Sequence, residues 1–181
     1  MTKAADLAKF IGTGFSGKTI QTQKTQFTST SQISCASNTD VVVTDLTVNI
    51  TPNFSNSIIQ LQAQLLGEWS DQTATWDSTV FFYRDTTKLS HATAGSRNSG
   101  VGGFYRAYTD VDNASTPNSA PMYSFFDTPS STSQITYKVG LRQTRTSPSS
   151  LTFNLNRTVD DADIQQSERF ISFISATEIA A

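Results

Sequence analysis

Apolar and polar residues alternate along many short stretches of the chain. Every second residue is apolar in LTVNI (46–50). In SIIQLQAQLLGEW (57–69) the apolar side chains from Ile59 to Trp69 share one face, and three glutamines lie on the other. A period of two residues over such lengths is typical of β-strands that are buried on one face. The pattern therefore predicts strands in both segments.

Further segments of the same character follow at short intervals. The Thr-rich run after Lys18 predicts one strand, because β-branched residues favour an extended backbone. Connections rich in Gly, Pro, Ser and Asn, such as TAGSRNSGVGG and RTSPSS, separate the segments. About nine strands are predicted in all, the others being STVFFYRD, GGFYRAYTD, PMYSFFDTP, SQITYKVGLRQ, SLTFNLNR and ERFISFISATEI. Such a chain is expected to be all-β, an antiparallel β-sandwich and most simply a jelly roll.

The core is predicted from the apolar face of each strand. In the last strand, Ile171, Phe173 and Ile179 share the face assigned to the core. Phe170 and Ile174 lie off that face, which makes them candidates for contact with another subunit. The predicted core residues are Leu46, Val48, Ile50, Leu61, Leu65, Phe81, Tyr83, Phe125, Tyr137, Val139, Leu141, Phe153, Leu155, Ile171, Phe173 and Ile179.

The first residues follow a different period. In TKAADLAKFI (2–11) apolar residues recur at helical spacing, and Gly12 is placed to end a helix. A helix this short is unstable alone in water, where about 12–15 residues are already marginal, so its apolar stripe needs a partner surface. The stripe consists of Leu7, Ala8 and Ile11 and is flanked by Phe10. We predict a helix and arm over residues 1–17, followed by one β domain over residues 18–181.

One motif invites a catalytic interpretation. Residues 12–19 read GTGFSGKT and fit the P-loop pattern G-x-x-x-x-G-K-[ST], in which backbone N–H groups and a lysine hold phosphates. A P-loop follows a buried strand and opens a helix. Here the order is reversed, because helical spacing precedes the motif and a Thr-rich strand follows it. We therefore interpret the segment as a joint between the arm and the β domain.

Composition argues against several classes of function. The chain has 181 residues, a net charge of −2 and 15% charged residues, and it contains no basic run that would bind a phosphate backbone. No apolar run approaches the roughly 20 residues of a membrane span, and the N-terminus lacks the apolar core of a secretory signal. The 24 Ser and 27 Thr suit solvated strand faces. We therefore expect neither nucleic-acid binding nor membrane insertion, and the lone Cys35 fits synthesis in a reducing cytosol.

Candidate catalytic chemistry is sparse. His91 is the only histidine and lies beside a turn, so a zinc site and a cysteine–histidine pair both lack ligands. The densest acidic cluster, Asp160, Asp161 and Asp163, lacks the spacing of a calcium loop. We expect Asp160 or Asp163 to accept turn N–H groups or to pair with the neighbouring arginines. The sequence predicts no catalytic residue, no metal and no cofactor.

Several ordered motifs resemble a domain found in structural proteins of bacteriophages. They are GKTIQTQKTQFTSTSQIS, TDLTVNITP with its L-x-V-x-I-T-P pattern, FFYRDTTKLS, MYSFFDTPSSTSQITYKVGLR and a closing segment that ends in E-I. The resemblance covers roughly residues 17–181. It implies a jelly roll similar to complement-globular-head and tumour-necrosis-factor-like domains, which form trimers. It also implies a place in tail fibres or other virion appendages.

The resemblance implies a virion structural protein, namely a short fibre, decoration or adaptor subunit. Such a subunit would be a homotrimer with Phe170 and Ile174 at the subunit contact, anchored to other virion proteins by its N-terminal stripe. The alternative is a receptor-binding module that reads host-surface glycans through Trp76, Tyr105 and Tyr108, although core or interface packing is also open to these aromatics. An enzyme is the third hypothesis and the one that the motifs favour least.

Overall fold

The computed structural model describes residues 17–71, 76–89, 95–106, 118–119, 122–165 and 167–181, with the backbone alone for residues 105, 106, 118 and 119. These residues form thirteen strands, where about nine were predicted. The strands are β1 Thr19–Phe27, β2 Ser31–Ala36, β3 Val41–Ile50, β4 Ile58–Gln64, β5 Gly67–Trp69, β6 Ser78–Arg84, β7 Thr87–Leu89, β8 Tyr105–Arg106, β9 Asn118–Ser119, β10 Tyr123–Asp127, β11 Ile135–Gln143, β12 Ser150–Leu155 and β13 Ser172–Ile179.

Eight of these strands form two four-stranded antiparallel sheets that pack as a sandwich. The first sheet has the order β1-β13-β4-β10, and the second has the order β3-β11-β6-β7. The first strand of each sheet in chain order lies at an edge and pairs with a much later strand: β1 pairs with β13, and β3 pairs with β11. Most connections cross between the sheets. This is the connectivity of a jelly roll, so the predicted all-β sandwich is confirmed.

A third sheet continues the first one, strand by strand. Its order is β2-β12-β5-β9-β8. Four strands of the third sheet are next in the chain to strands of the first sheet: β2 follows β1, β12 precedes β13, β5 follows β4 and β9 precedes β10. The order of the first sheet is therefore repeated beyond a break. The break explains two differences from the prediction. The segment 57–69 is divided into β4 and β5, and the Thr-rich run after Lys18 is divided into β1 and β2.

Asn156 fastens the break between the first and third sheets. It is completely buried and has a φ of 62°, a left-handed conformation that Asn adopts more readily than most residues. Its side-chain amide donates to the carbonyls of Phe27 (2.7 Å) and Ser29 (2.8 Å) and accepts from the Ser172 hydroxyl (2.6 Å). The Ser172 oxygen in turn accepts the N–H of Leu66 at 2.9 Å. One buried network thus joins the chain after β1, after β4 and before β13.

The interior is one apolar cluster that draws on all three sheets. Around Trp69, ring centroids lie 5.2 Å from Phe153 and 5.9 Å from Phe104, and Phe104 lies 5.0 Å from Phe153. These tilted and edge-on contacts are the geometry that aromatic rings prefer. The predicted core residues that are buried in this cluster are Leu46, Val48, Ile50, Leu61, Leu65, Tyr137, Val139, Leu141, Phe153 and Leu155. Phe81 is also buried, but outside the cluster and against Gly140 on the outer face of the second sheet.

In β13 the predicted faces are reversed. Ile174 is completely buried in the core, whereas Phe173 and Ile179 are half-buried on the outer face. Counting apolar residues favoured the wrong face, because the inward face also carries a buried carboxylate, Glu178. The other predicted core residues that are not fully buried are Tyr83 and Phe125, which are half-buried, and Ile171, which is 48% exposed.

Glu178 tolerates burial because five donor groups surround its carboxylate. They are the side chains of Gln21 (2.8 Å), Asn53 (3.0 Å) and Ser57 (2.7 Å), and the N–H groups of Asn53 (2.8 Å) and Phe54 (3.2 Å). Burial alone would raise the pKa of this carboxyl, but the hydrogen bonds from Gln21, Ser57 and the two N–H groups outweigh it and lower the pKa. The cage pins the β3–β4 connection to the end of β13.

A second buried carboxylate joins the two main sheets. Asp127, at the end of edge strand β10, accepts hydrogen bonds from Arg84 of β6 (2.9 Å) and from the Tyr137 hydroxyl of β11 (2.7 Å). Burial, and then the hydrogen bond to Asp127, raise the pKa of Tyr137 well above its ordinary value. The tyrosine therefore stays a neutral donor, and the contact closes one side of the sandwich.

Candidate functional site

On three strands of the first sheet, β4, β10 and β13, the outward side chains are apolar or uncharged and polar, and the fourth strand, β1, places Lys24 next to Ser175 on the same side. Registered neighbours run across it in rows, such as Ser124–Gln62–Ser175 and Phe126–Gln60–Thr177. These positions point outward because they alternate with core residues of the same strands. We call this surface the glutamine face. It consists of Ile58, Gln60, Gln62, Gln64, Ser124, Phe126, Phe173, Ser175, Thr177 and Ile179.

Apolar side chains border the polar centre of the glutamine face. Phe126 is 61% exposed, and Met122, just before β10, is 47% exposed. Ile58 pairs with Ile179 at one end of the sheet, and Phe173 lies towards the other end. Exposed apolar groups gathered on one face of a domain mark an interaction surface.

The polar centre has two properties that suit contact with another copy of the same chain. None of the ten residues of the glutamine face is charged, and the charge next to it is Lys24 of edge strand β1, which pairs with Ser175. Within the described part of the chain, the side-chain amides of Gln60, Gln62 and Gln64 form no hydrogen bond. An amide offers both donors and an acceptor, so it complements its own copy. A charge near a symmetry axis would instead face like charges.

The predicted subunit-contact residues lie elsewhere. Ile174 is completely buried inside the subunit and cannot touch another copy, so its assignment to a subunit contact was wrong. Phe170 precedes β13 and is half-buried, and its N–H donates to the Asn156 carbonyl at 3.0 Å. Its role at a subunit contact stays a prediction. The outward neighbours in the same strand are Phe173 and Ile179.

Both ends of the described chain lie together at one end of the sandwich. The Gly17 N–H donates to the Ala180 carbonyl (2.6 Å), and the Ala180 N–H donates to Lys18 (2.9 Å). The P-loop-like motif runs directly into strand β1 at Thr19, as predicted, and not into a helix. The predicted anchor residues lie outside the described residues. They are Leu7, Ala8, Phe10 and Ile11.

A cavity of about 340 Å³ lies where the β5–β6 and β11–β12 connections meet. Its lining residues are Asp77 and the run 144–147. The N–H and hydroxyl of Thr144 both donate to the Asp77 carbonyl, at 2.8 and 3.0 Å, and hold the two connections together. Trp76, one of the predicted glycan residues, directly precedes Asp77 and is 67% exposed. Of the other two, Tyr105 belongs to β8 and Tyr108 lies outside the described residues.

The outer face of the second sheet differs from the glutamine face. We call it the charged face, and it consists of Asp40, Phe81, Tyr83, Lys88, Lys138 and Arg142. Phe81 packs over Gly140, where any Cβ would meet its ring, and the Lys88 ammonium lies 3.7 Å from the ring centroid. Asp40 accepts hydrogen bonds from Lys88 (3.0 Å) and Arg142 (3.2 Å). The chain therefore covers the aromatic ring of this face itself.

The titratable groups that the sequence singled out have structural partners. Burial raises the pKa of the Cys35 thiol to about 12, which disfavours the thiolate that a nucleophile needs. The acidic loop pairs with arginines through Asp161, which lies 3.6 Å from Arg157 and also binds Arg169, whereas the expected partners were Asp160 and Asp163. Among the described residues, no group of three or more His, Cys, Asp or Glu side chains could hold a metal ion.

Sequence reasoning missed the importance of the three glutamines. Their alternation with core residues was recognised, but the glutamine side of β4 was treated as the polar face of a strand. The available signal was the residue type, because solvated strand faces usually include charged side chains and this one has none.

Comparison of the chain with protein-family models and with curated proteins gives no match. None of the described residues belongs to a helix that is long and apolar enough to cross a membrane. The functional inference is therefore carried by the sequence motifs and by the surfaces of the sandwich.

Proposed function

We propose that this protein is a structural subunit of a bacteriophage virion: a short fibre, decoration or adaptor subunit. It assembles as a homotrimer through its glutamine face, and its N-terminal segment attaches it to other virion proteins. The phage assignment is supported by the ordered motifs that run from GKTIQTQ to the closing E-I. The observation that carries the assembly is the glutamine face, ten uncharged residues of β4, β10 and β13 that are bordered by exposed apolar side chains and, on β1, by Lys24.

Homomeric contact is favoured by the chemistry of this face. Burying Phe126 and Met122 against a neighbour would remove the largest exposed apolar groups of β10 from water. The glutamine amides would gain partners from the same amides of a neighbouring subunit. Closed cyclic symmetry satisfies every copy of such a face equally, and the similarity to trimeric jelly rolls favours three subunits.

Attachment through the N-terminal segment is supported by where the domain begins. Gly17 lies beside Ala180 at the end of β13, so the preceding residues leave from one end of the sandwich. Residues 2–11 carry an apolar stripe that needs a partner surface. The partner is another virion protein, or the same segment of the sister subunits.

The assembly is tested by placing a charge on the glutamine face. In Gln62→Glu, three like charges would meet at a desolvated contact, so we expect the parent to sediment as a trimer at micromolar concentration and the variant as a monomer. Asn49→Asp is the matched control, because Asn49 is exposed on β3 and its side-chain oxygen still has Thr136 as donor (2.8 Å). It should remain trimeric. A parent that sediments as a monomer would refute the trimer.

The virion role is tested on purified particles. Mass spectrometry of the particles should detect the protein. Deletion of residues 1–14 should leave a folded domain, checked by circular dichroism, that no longer enters particles. Normal incorporation of the truncated protein would rule out the anchor, and absence of the full-length protein from particles would rule out the virion assignment.

A further inference from the structure

We propose that, before the subunit joins a particle, the apolar stripe of its N-terminal segment packs on Phe54 in the β3–β4 connection of the same subunit. The stripe, which consists of Leu7, Ala8 and Ile11, then stays covered until a virion protein takes it up. The inference rests on the proposed function only in treating the stripe as the virion anchor. The contact within the subunit is argued from the residues around Phe54.

The side chain of Phe54 is exposed, but the backbone that carries it is fixed. Phe54 is 49% exposed. The N–H groups of Asn53 and Phe54 donate to the buried Glu178 carboxylate, at 2.8 and 3.2 Å. The Ser57 N–H closes a turn onto the Phe54 carbonyl at 3.2 Å. Single exposed apolar side chains are common on protein surfaces, but this one is ordered in advance, so covering it costs little conformational entropy.

A second apolar side chain lies beside the same carboxylate. Ile20 is an extra residue in β1, because Thr19 and Gln21 pair with consecutive residues of β13. Ile20 is half-buried. The Gln21 side chain donates to the Glu178 carboxylate and to the Thr51 carbonyl, both at 2.8 Å, and holds this part of β1 against the β3–β4 connection. The connection and the bulge therefore place apolar groups at the end of the sandwich from which the N-terminal segment leaves.

The N-terminal segment is long enough to reach this surface. The Gly17 N–H donates to the Ala180 carbonyl at 2.6 Å, so the segment leaves the domain two residues from Glu178. Two residues of a strand span about 7 Å. The six residues that separate Gly17 from Ile11 span up to about 20 Å when extended, which exceeds that distance. Gly17 has a φ of 75°, and the linker before it contains two more glycines, which tolerate a reversal of the chain.

The surface of its own subunit is the first one available to the stripe. A site joined by a short linker is presented at an effective concentration on the order of millimolar. A helix over residues 2–11 is unstable alone in water, so the segment folds as it docks. The contact is weak enough for a larger apolar surface of a virion protein to replace it, because Phe54 and Ile20 offer little area.

Hydrogen exchange of the intact protein, measured by mass spectrometry over residues 2–11, tests the contact. We expect the segment to exchange about tenfold faster in Phe54→Ala than in the parent, because its open form becomes more populated. Ile11→Ala removes the same contact from the other side and should have the same effect, although alanine favours a helix. The double variant should exchange no faster than either single variant, since both changes remove one interaction.

Trp76→Ala is the matched control. Trp76 is 67% exposed and directly precedes Asp77, whose carbonyl accepts the Thr144 N–H (2.8 Å) just beyond the end of β11. That end of β11 lies beside the start of β3, whereas Gln21 and the N-terminal segment lie beside the end of β3. The control therefore removes an exposed aromatic at the opposite end of the sandwich, and its residues 2–11 should exchange as in the parent.

Equal exchange in the parent and in Phe54→Ala would overturn the inference, and so would an unchanged rate in Ile11→Ala or an equal acceleration in Trp76→Ala. Protection that disappears in Gln62→Glu, whose subunits stay apart, would place the stripe on a sister subunit and overturn the contact within the subunit. Sedimentation and particle content judge the proposed function separately. A monomeric parent that protects residues 2–11 through Phe54 supports the contact and overturns the trimer.

Discussion

Phe81 and Phe126, which lie on opposite outer faces of the sandwich, differ in whether water reaches the ring. On the charged face Phe81 is completely buried although it lies outside the core, because Lys88 covers its ring and Gly140 leaves room for it. On the glutamine face Phe126 is 61% exposed. Each sheet has its other face on the same core, so the fold does not create this difference. It arises from what the chain itself places over the ring.

The difference separates two kinds of stability. A ring that its own chain covers stabilises the subunit, because it leaves water when the subunit folds. A ring left exposed contributes only when a partner covers it. The charged side chains follow the same division: Lys88 lies over Phe81, whereas the registered neighbours of Phe126 in the sheet are Gln60 and then Thr177.

Removing each ring tests this division most strongly. Phe81→Ala should lower the free energy of unfolding by about 3–5 kcal/mol, the usual cost of deleting a buried phenylalanine. Phe126→Ala should change it by no more than about 0.5 kcal/mol. Urea unfolding in the Gln62→Glu background, which keeps subunits apart, measures both without a contribution from assembly. Equal losses in the two variants would contradict the comparison.

Sequence alternation predicted the strands well where only one face is apolar. The β3 residues Leu46, Val48 and Ile50 are all buried as expected. β13 could not be read in this way, because both of its faces carry apolar side chains and a period of two does not say which of them meets the core. Ile174 is inward because it pairs with Ala63 of β4, itself a core residue.

The break between β4 and β5 had only a weak signal. Leu65 and Leu66 separate the strands without Pro or a polar turn. The residue that indicates the break is Gly67, because its φ is 155° and a Cβ there would collide with the Asn154 carbonyl of β12. The need for glycine depends on a strand that lies far away in the sequence, so alternation alone could not reveal it.

The cavity lined by Asp77 and residues 144–147 was not visible in the sequence. Trp76 was named from its residue type. Asp77 and Thr144 lie 67 positions apart and meet only because β6 and β11 pair. Arg145 could not have been placed at one cavity with Asp77 before that pairing was known.

The inward face of the first sheet provides a second, smaller test, because the carboxylate of Glu178 is buried there. Glu178→Gln should cost about 2–3 kcal/mol at pH 7, because the donors around the carboxylate lose a charged acceptor. The folded-state pKa is lowered, so this stabilisation is present above the ordinary value of about 4.3 and is lost as pH falls through the folded pKa. Urea unfolding should show the gap between parent and variant closing towards pH 3. Glu168→Gln, at an exposed site, is the control, and a gap that persists in acid would count against the cage.

The smallest expected effect concerns the charged face alone. Tyr83 packs edge-on against Phe81, with ring centroids 5.5 Å apart. Burial, and then the negative charge of Asp40, raise the pKa of Tyr83 above its ordinary value. Asp40→Asn keeps the size of the side chain and removes the charge, so the pKa of Tyr83 should fall part of the way back, with burial holding it above the ordinary value. NMR titration of the tyrosine ring carbons measures the shift.

Asp85→Asn is the control for this titration, because Asp85 bonds the Thr136 N–H (3.0 Å) and is not a cause of the Tyr83 shift. The stability cost of Asp40→Asn should stay within about 1 kcal/mol, since Asp40 and its two cationic partners are partly solvated. An unmoved Tyr83, or an equal movement in Asp85→Asn, would show that Asp40 does not act on the ring it helps to enclose. A shift confined to Asp40→Asn would mean that charge, aromatic ring and cover form one electrostatic unit on this face, an arrangement for which the uncharged glutamine face has no counterpart.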